Sequence, residues 1–89
     1  MRSVSFGAGE MIIELEVHPD GGRRTLLGQL SPAGARTIEL QWADGSASDQ
    51  ARSDLIGRFR LRLEHGGTVR LRIADESAGT AVETAWIPI

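Results

Sequence analysis

The sequence predicts a small all-β domain, a sandwich or small barrel of seven strands. Three observations carry this. The runs Arg58-Phe59-Arg60-Leu61-Arg62-Leu63 and Val69-Arg70-Leu71-Arg72-Ile73 alternate apolar and charged residues without a break. That period of two marks a strand with one face on a core and one in water. Turn signals recur every 8–12 residues or so along the chain, the spacing of an all-β domain. No segment of any length has the 3.6-residue period of an amphipathic helix.

Taken in order, residues 1–10 hold Gly7, Gly9 and a few apolar residues and read as an N-terminal extension or a short first strand. Residues 11–89 read as one domain. Ile13, Leu15 and Val17 alternate with Glu14 and Glu16, a clear strand. His18-Pro19-Asp20-Gly21-Gly22 reads as a turn, because proline presets φ and glycine accepts positive φ. Residues 23–30 form the next strand, its alternation broken by adjacent Leu26 and Leu27. Ser31-Pro32-Ala33-Gly34 is a turn. Arg36, Ile38, Leu40 and Trp42 then share one face against Thr37, Glu39 and Gln41, which places Trp42 in the core. Asp44-Gly45 is a hairpin signal. Residues 47–54 are polar and without period, an edge strand or a loop. Leu55-Ile56-Gly57 leads into the strand 58–63, Glu64-His65-Gly66-Gly67 turns, and residues 68–73 follow. Residues 74–79 read as a loop. Residues 80–89 read as one last strand carrying Val82 and Trp86, with Pro88 where a sheet edge or chain end tolerates it.

At 89 residues one core is expected, burying about two thirds of the surface the unfolded chain exposes. There is no cysteine, hence no disulfide, no cysteine metal site and no thiol nucleophile. A net charge of −2 argues against bulk attraction to nucleic acid or to an acidic membrane. No run approaches the roughly 20 apolar residues of a membrane span. The expected location is the cytoplasm. All ten basic residues are arginine, so Schiff-base, P-loop-lysine and lysine isopeptide chemistry are excluded.

Nothing in the residues points to catalysis. His18 and His65 both fall in turns, and no spacing supplies an orienting partner or a pocket. They read as solvated turn histidines. Two histidines with scattered carboxylates make no recognisable zinc site. No nucleophile elbow is present, and Gly7-Ala8-Gly9 precedes a strand rather than opening a helix. No catalytic residue, cofactor or metal is expected.

Several segments in order and spacing carry a family resemblance: Gly28-Gln29-Leu30; Pro32-Ala33-Gly34-Ala35 with the strand Thr37-Ile38-Glu39-Leu40; Asp44-Gly45; Ser53-Asp54-Leu55-Ile56-Gly57-Arg58-Phe59; and Gly67-Thr68-Val69-Arg70-Leu71-Arg72-Ile73. The chain resembles the carboxypeptidase regulatory-like domain over residues 24–73, and in particular short stand-alone versions of that domain in actinobacteria. The resemblance implies a seven-stranded transthyretin-like (prealbumin-like) β-sandwich, antiparallel or mixed, of Greek-key type. It also implies a regulatory or accessory role beside a larger effector. The Asp-x-x-Gly-x-Phe step is its distinctive part. Asp54 can bond backbone amides two residues on, Gly57 takes positive φ, and Phe59 enters the core. Val69 stands where the family has an aromatic, and Trp42 and Trp86 are expected to supply the missing volume. Hydroxyisourate hydrolases share the fold but end in Tyr-Arg-Gly-Ser. This chain ends Trp86-Ile87-Pro88-Ile89, so that activity is not expected.

The resemblance also bears on how the two arginine rows meet. A hairpin through His65-Gly66-Gly67 would set Arg62 opposite Arg70 and Arg60 opposite Arg72, and like charges directly opposed are destabilising. In the transthyretin-like fold this connection crosses between sheets and puts the rows on opposite outer faces. The crossover is therefore preferred. The rows would then either be neutralised by Glu14, Glu16, Glu39 or Glu83 on adjacent strands or face an anionic partner.

The reading that follows is a non-catalytic protein-binding domain. Arg58, Arg60, Arg62, Arg70, Arg72 and Trp86 form the candidate interaction surface, and an edge strand is a candidate route to a homodimer. Three rivals stand beside it. The first is a small-molecule or carbohydrate-binding module, which needs exposed aromatics. The second is an enzyme completing its site across a dimer, which needs His18 or His65 near a carboxylate or arginine in a cleft. The third is a self-associating structural domain.

Overall fold

The computed structural model describes residues 2–75 and 78–89. Among them there is no helix. Nine strands form two antiparallel sheets that enclose one core. They are β1 (Arg2–Ala8), β2 (Met11–Asp20), β3 (Arg23–Ser31), β4 (Thr37–Trp42), β5 (Asp49–Arg52), β6 (Arg58–Leu63), β7 (Thr68–Asp75), β8 (Thr80–Glu83) and β9 (Ile87–Pro88). One sheet runs β1-β2-β3-β6. The other runs β5-β4-β7-β8, with β9 also on β7.

The expected count of seven strands is corrected to nine. Residues 2–8 form a full strand on β2, and residues 49–52 form an edge strand on β4. The last segment is split in two. Of the loop expected over residues 74–79, Ala74 and Asp75 belong to β7, and residues 76 and 77 lie outside the described residues.

The hairpins are tighter than expected. Asp20 pairs with Arg23 across Gly21-Gly22, and Ala8 pairs with Met11 across Gly9-Glu10. In each, only the first turn residue has positive φ, 61° at Gly21 and 63° at Gly9. That is a type II′ turn, whose twist matches the strands it joins. His18 and Pro19 are consequently strand residues, not turn residues. Pro19 is tolerated because β1 reaches only to Val17 on that side of β2, so no neighbour asks for its missing N–H.

The core is the inward set of every long strand: Ile13, Leu15 and Val17; Leu26 and Leu30; Ile38, Leu40 and Trp42; Phe59, Leu61 and Leu63; Val69, Leu71 and Ile73. Leu26 is buried and Leu27 exposed, so β3 keeps its alternation. Trp42 is 7% exposed and packs its ring against Gly67, where a Cβ would lie 3.1 Å from it. Phe59 covers Gly28, its cross-strand partner. A Cβ on Gly28 would sit 2.1–2.6 Å from the ring, so only glycine fits beneath it.

The step into β6 forms as its residues dictate. The Asp54 carboxylate Oδ1 accepts from the amides of Ile56 (3.0 Å) and Arg58 (2.9 Å). Gly57 has φ 86°, and its carbonyl accepts from the Leu30 amide at 2.8 Å. This turn delivers β6 to β3 and away from β7, so residues 58–63 and 68–73 cross between sheets, as the opposed charges require.

The split at the end of the chain has a local cause. The Leu71 amide donates to Thr84 Oγ1 (2.9 Å) instead of a ladder carbonyl, and Thr84 Oγ1 donates to Ala85 O (2.9 Å). The register then shifts by one residue. Arg72 pairs with Glu83, but Val69 pairs with Ile87, leaving Ala85 and Trp86 opposite Arg70 alone. This is a β-bulge, and it turns Ile87 inward and Trp86 outward. Trp86 is 45% exposed, so of the two roles the sequence left open for it, core volume and surface contact, it does not supply the first.

Candidate protein-binding surface

The crossover separates the candidate residues into two faces. Arg58, Arg60 and Arg62 project from β6 on the outer face of one sheet, and Arg70 and Arg72 from β7 on the outer face of the other. Trp86 lies with the second group. The six residues do not form one surface.

The β7 row is occupied by its neighbours. Arg70 Nε donates to Gln41 Oε1 (2.7 Å), Nη1 lies 3.2 Å from Glu83 Oε2, and the guanidinium stacks 4.6 Å above the Trp86 ring centroid. Arg72 Nε lies 3.9 Å from the other Glu83 oxygen. Gln41 in turn donates to Glu39 (2.9 Å), which also accepts from Ser48 (3.1 Å). Here charges on adjacent strands cancel.

The β6 row is different. Arg58 Nε donates to Gln29 Oε1 (3.3 Å), and Gln29 Nε2 donates to Ile56 O (2.6 Å). Across the sheet Arg60 faces Leu27 and Arg62 faces Thr25, neither an acid. The acidic column of Glu14 and Glu16 is on β2 beyond β3, about 9.6 Å away at ordinary strand spacing, and Glu64, just past the end of β6, meets Arg23 at 3.6 Å. Glu16 instead meets His18 Nε2 at 3.0 Å.

Strand β6 is also an edge. The Leu30–Gly57 bond fixes the hydrogen-bonding pairs of the β3–β6 ladder as alternate residues, so Phe59, Leu61 and Leu63 bond to β3. The backbone groups of Arg58, Arg60 and Arg62 therefore point away from the sheet. Those of Arg58 are taken by Asp54. Those of Arg60 and Arg62 face a side on which, among the described residues, no strand pairs. At the head of β6, Leu55 and Ile56 are exposed.

Behind this edge, an open trough of about 690 Å³ crosses the outer face, lined by Ser3, Ser5, Glu14, Glu16, Gln29 and Arg58 among others. It offers no stacking platform. Phe59 is buried beneath Gly28, Trp42 is in the core and Trp86 is on the opposite sheet.

His18 and Glu16 form an exposed pair along one strand, Nε2 to Oε2 at 3.0 Å. His65 stacks on Trp42, centroids 4.4 Å apart. Among the described residues, no three His, Asp or Glu side chains gather as a metal site. One carboxylate is shifted. Hydrogen bonds from the Ser46 side chain and backbone hold Asp44 below the usual aspartate range, helped by His65.

Sequence reasoning missed Gln29, which anchors Arg58 and the Asp54 turn together. A polar residue facing outward on a central strand gives no sign of a partner on another strand. It also missed Thr84, whose hydroxyl diverts the ladder. No protein-family model, curated protein or solved structure matches this chain.

Proposed function

We propose that the chain is a non-catalytic protein-binding domain. It would act as an accessory or regulatory module beside a larger effector in the cytoplasm, with the transthyretin-like, Greek-key form of sandwich its sequence resembles. The observation that carries this reading is the edge of β6, where, among the described residues, backbone groups without a strand partner and guanidinium groups without an acid coincide at Arg60 and Arg62. A strand edge is a ready template for another chain, and arginine is favoured at protein interfaces. The sealed β7 row fits the same reading.

The test is a pull-down from native lysate in gentle salt, followed by hydrogen exchange on the complex. Wild type and Trp86→Ala are expected to retain the same partner, with new protection on β6. Arg60→Glu/Arg62→Glu is expected to lose it. A partner held equally by the charge-reversed protein, or no partner at all, contradicts the reading. A second reading, binding of a small polar molecule, is favoured by the trough alone.

A further inference from the structure

We propose that the partner of β6 is an extended acidic segment, with carboxylates at alternate positions, that joins the sheet as a fifth strand. This rests on the protein-binding reading and names the chemistry that the edge selects.

The backbone of Arg60 and Arg62 presents two N–H and two C=O groups on the unpaired side. An added strand satisfies them. The side chains of Arg58, Arg60 and Arg62 stand about 6.6 Å apart on the outer face, and carboxylates at i and i+2 of a strand have that same spacing. Opposite charges facing each other across a ladder are stabilising, and like charges are not.

The same row excludes the simplest alternative. Antiparallel pairing of β6 with β6 of a second copy sets Arg60 against Arg62 at the centre of the interface. A homodimer through this edge, one of the partners expected from the sequence, is therefore opposed by its own charges. The arginines repel a second copy and attract an acidic strand, so one feature supplies both halves of the discrimination. The other edge of this sheet, β1, has Ser3, Ser5 and Gly7 at its outward positions and no such selection.

The test uses two capped synthetic peptides of equal composition, one alternating valine with three glutamates and one with the three glutamates in a block. The alternating peptide is expected to bind and to slow hydrogen exchange at the Arg60 and Arg62 amides. Binding should weaken at least about tenfold in Arg60→Glu/Arg62→Glu, and when the peptide's ladder-facing amides are N-methylated. Glu83→Gln, on the far sheet, should leave it within about twofold. Equal binding of the blocked peptide overturns the proposal, as does protection at Ser3 and Ser5 instead. So does inorganic polyphosphate of equal charge binding as tightly with no amide protected. If a native partner protects β6 while neither peptide binds, this inference fails and the protein-binding reading stands. If the partner protects no part of β6, both fail.

Discussion

The two arginine rows are written in the same sequence grammar and end in opposite environments. On β7, a central strand, Arg70 and Arg72 share Glu83, and Arg70 also holds Gln41 and Trp86. On β6, an edge strand, Arg60 and Arg62 face Leu27 and Thr25 and form no ion pair with an acid among the described residues. The difference comes from the register and the strand order, not from the rows themselves. An alternating basic strand is therefore not a binding surface by composition. It becomes one where the topology leaves both its charges and its backbone unpaired.

The strongest way to break the comparison is to remove what places β6 at its edge. Phe59→Ala deletes the ring over Gly28 and is expected to cost about 3–5 kcal/mol, read by chemical denaturation. Gly57→Ala is expected to cost about 1–3 kcal/mol, since φ is 86° and the new Cβ would approach Leu30 O to 2.5 Å. A Gly57→Ala protein as stable as wild type would show that the Asp54 turn does not govern the strand.

The next prediction sharpens the contrast. Glu83→Arg turns the β7 network repulsive and should destabilise by about 1 kcal/mol. Arg60→Glu should change stability by no more than about 0.5 kcal/mol, having no partner to lose. Equal effects of the two would erase the distinction between the faces. Between these two, Arg70→Ala removes the stacking on Trp86, worth about 0.5–1 kcal/mol at an exposed site, and should raise quenching of the indole by iodide.

The smallest effect belongs to a site on neither face. Asp44 is held below the ordinary aspartate range in the folded protein. Its contribution is therefore complete above the unfolded value and is lost as pH falls through the folded one. Asp44→Asn should lower stability slightly at pH 7 and flatten a small part of the acid limb, the gap to wild type closing as pH falls, as followed by thermal melts between pH 2 and 7 or so.

What was legible in the sequence was local. Asp54, Gly57 and Phe59 announce their turn because its hydrogen bonds close within five residues. The strict alternation of β2, β4, β6 and β7 announces their buried faces. The all-β class followed from those patterns, whereas the transit of residues 58–73 between sheets was implied by the family resemblance, with the opposed charges speaking only against a hairpin. Features set by another strand were not legible. β5 lacks an apolar stripe because it is a four-residue edge, so its pattern could not mark it as a strand. The side on which Trp86 falls was open in the sequence, because it is set by the Thr84 hydroxyl, which bonds to Leu71 and shifts the register by one residue. The open state of β6 was hidden for the same reason, since it depends on which strand lies beside it.

The most direct measurement is residue-resolved hydrogen exchange on the free protein. Arg70 and Arg72 donate their amides into the ladder with β4, while those of Arg60 and Arg62 point to the unpaired side. The Arg60 and Arg62 amides should exchange at least about a hundredfold faster than those of Arg70 and Arg72. Equal protection of the four would mean that β6 is already paired, and the account of an open arginine edge would be wrong.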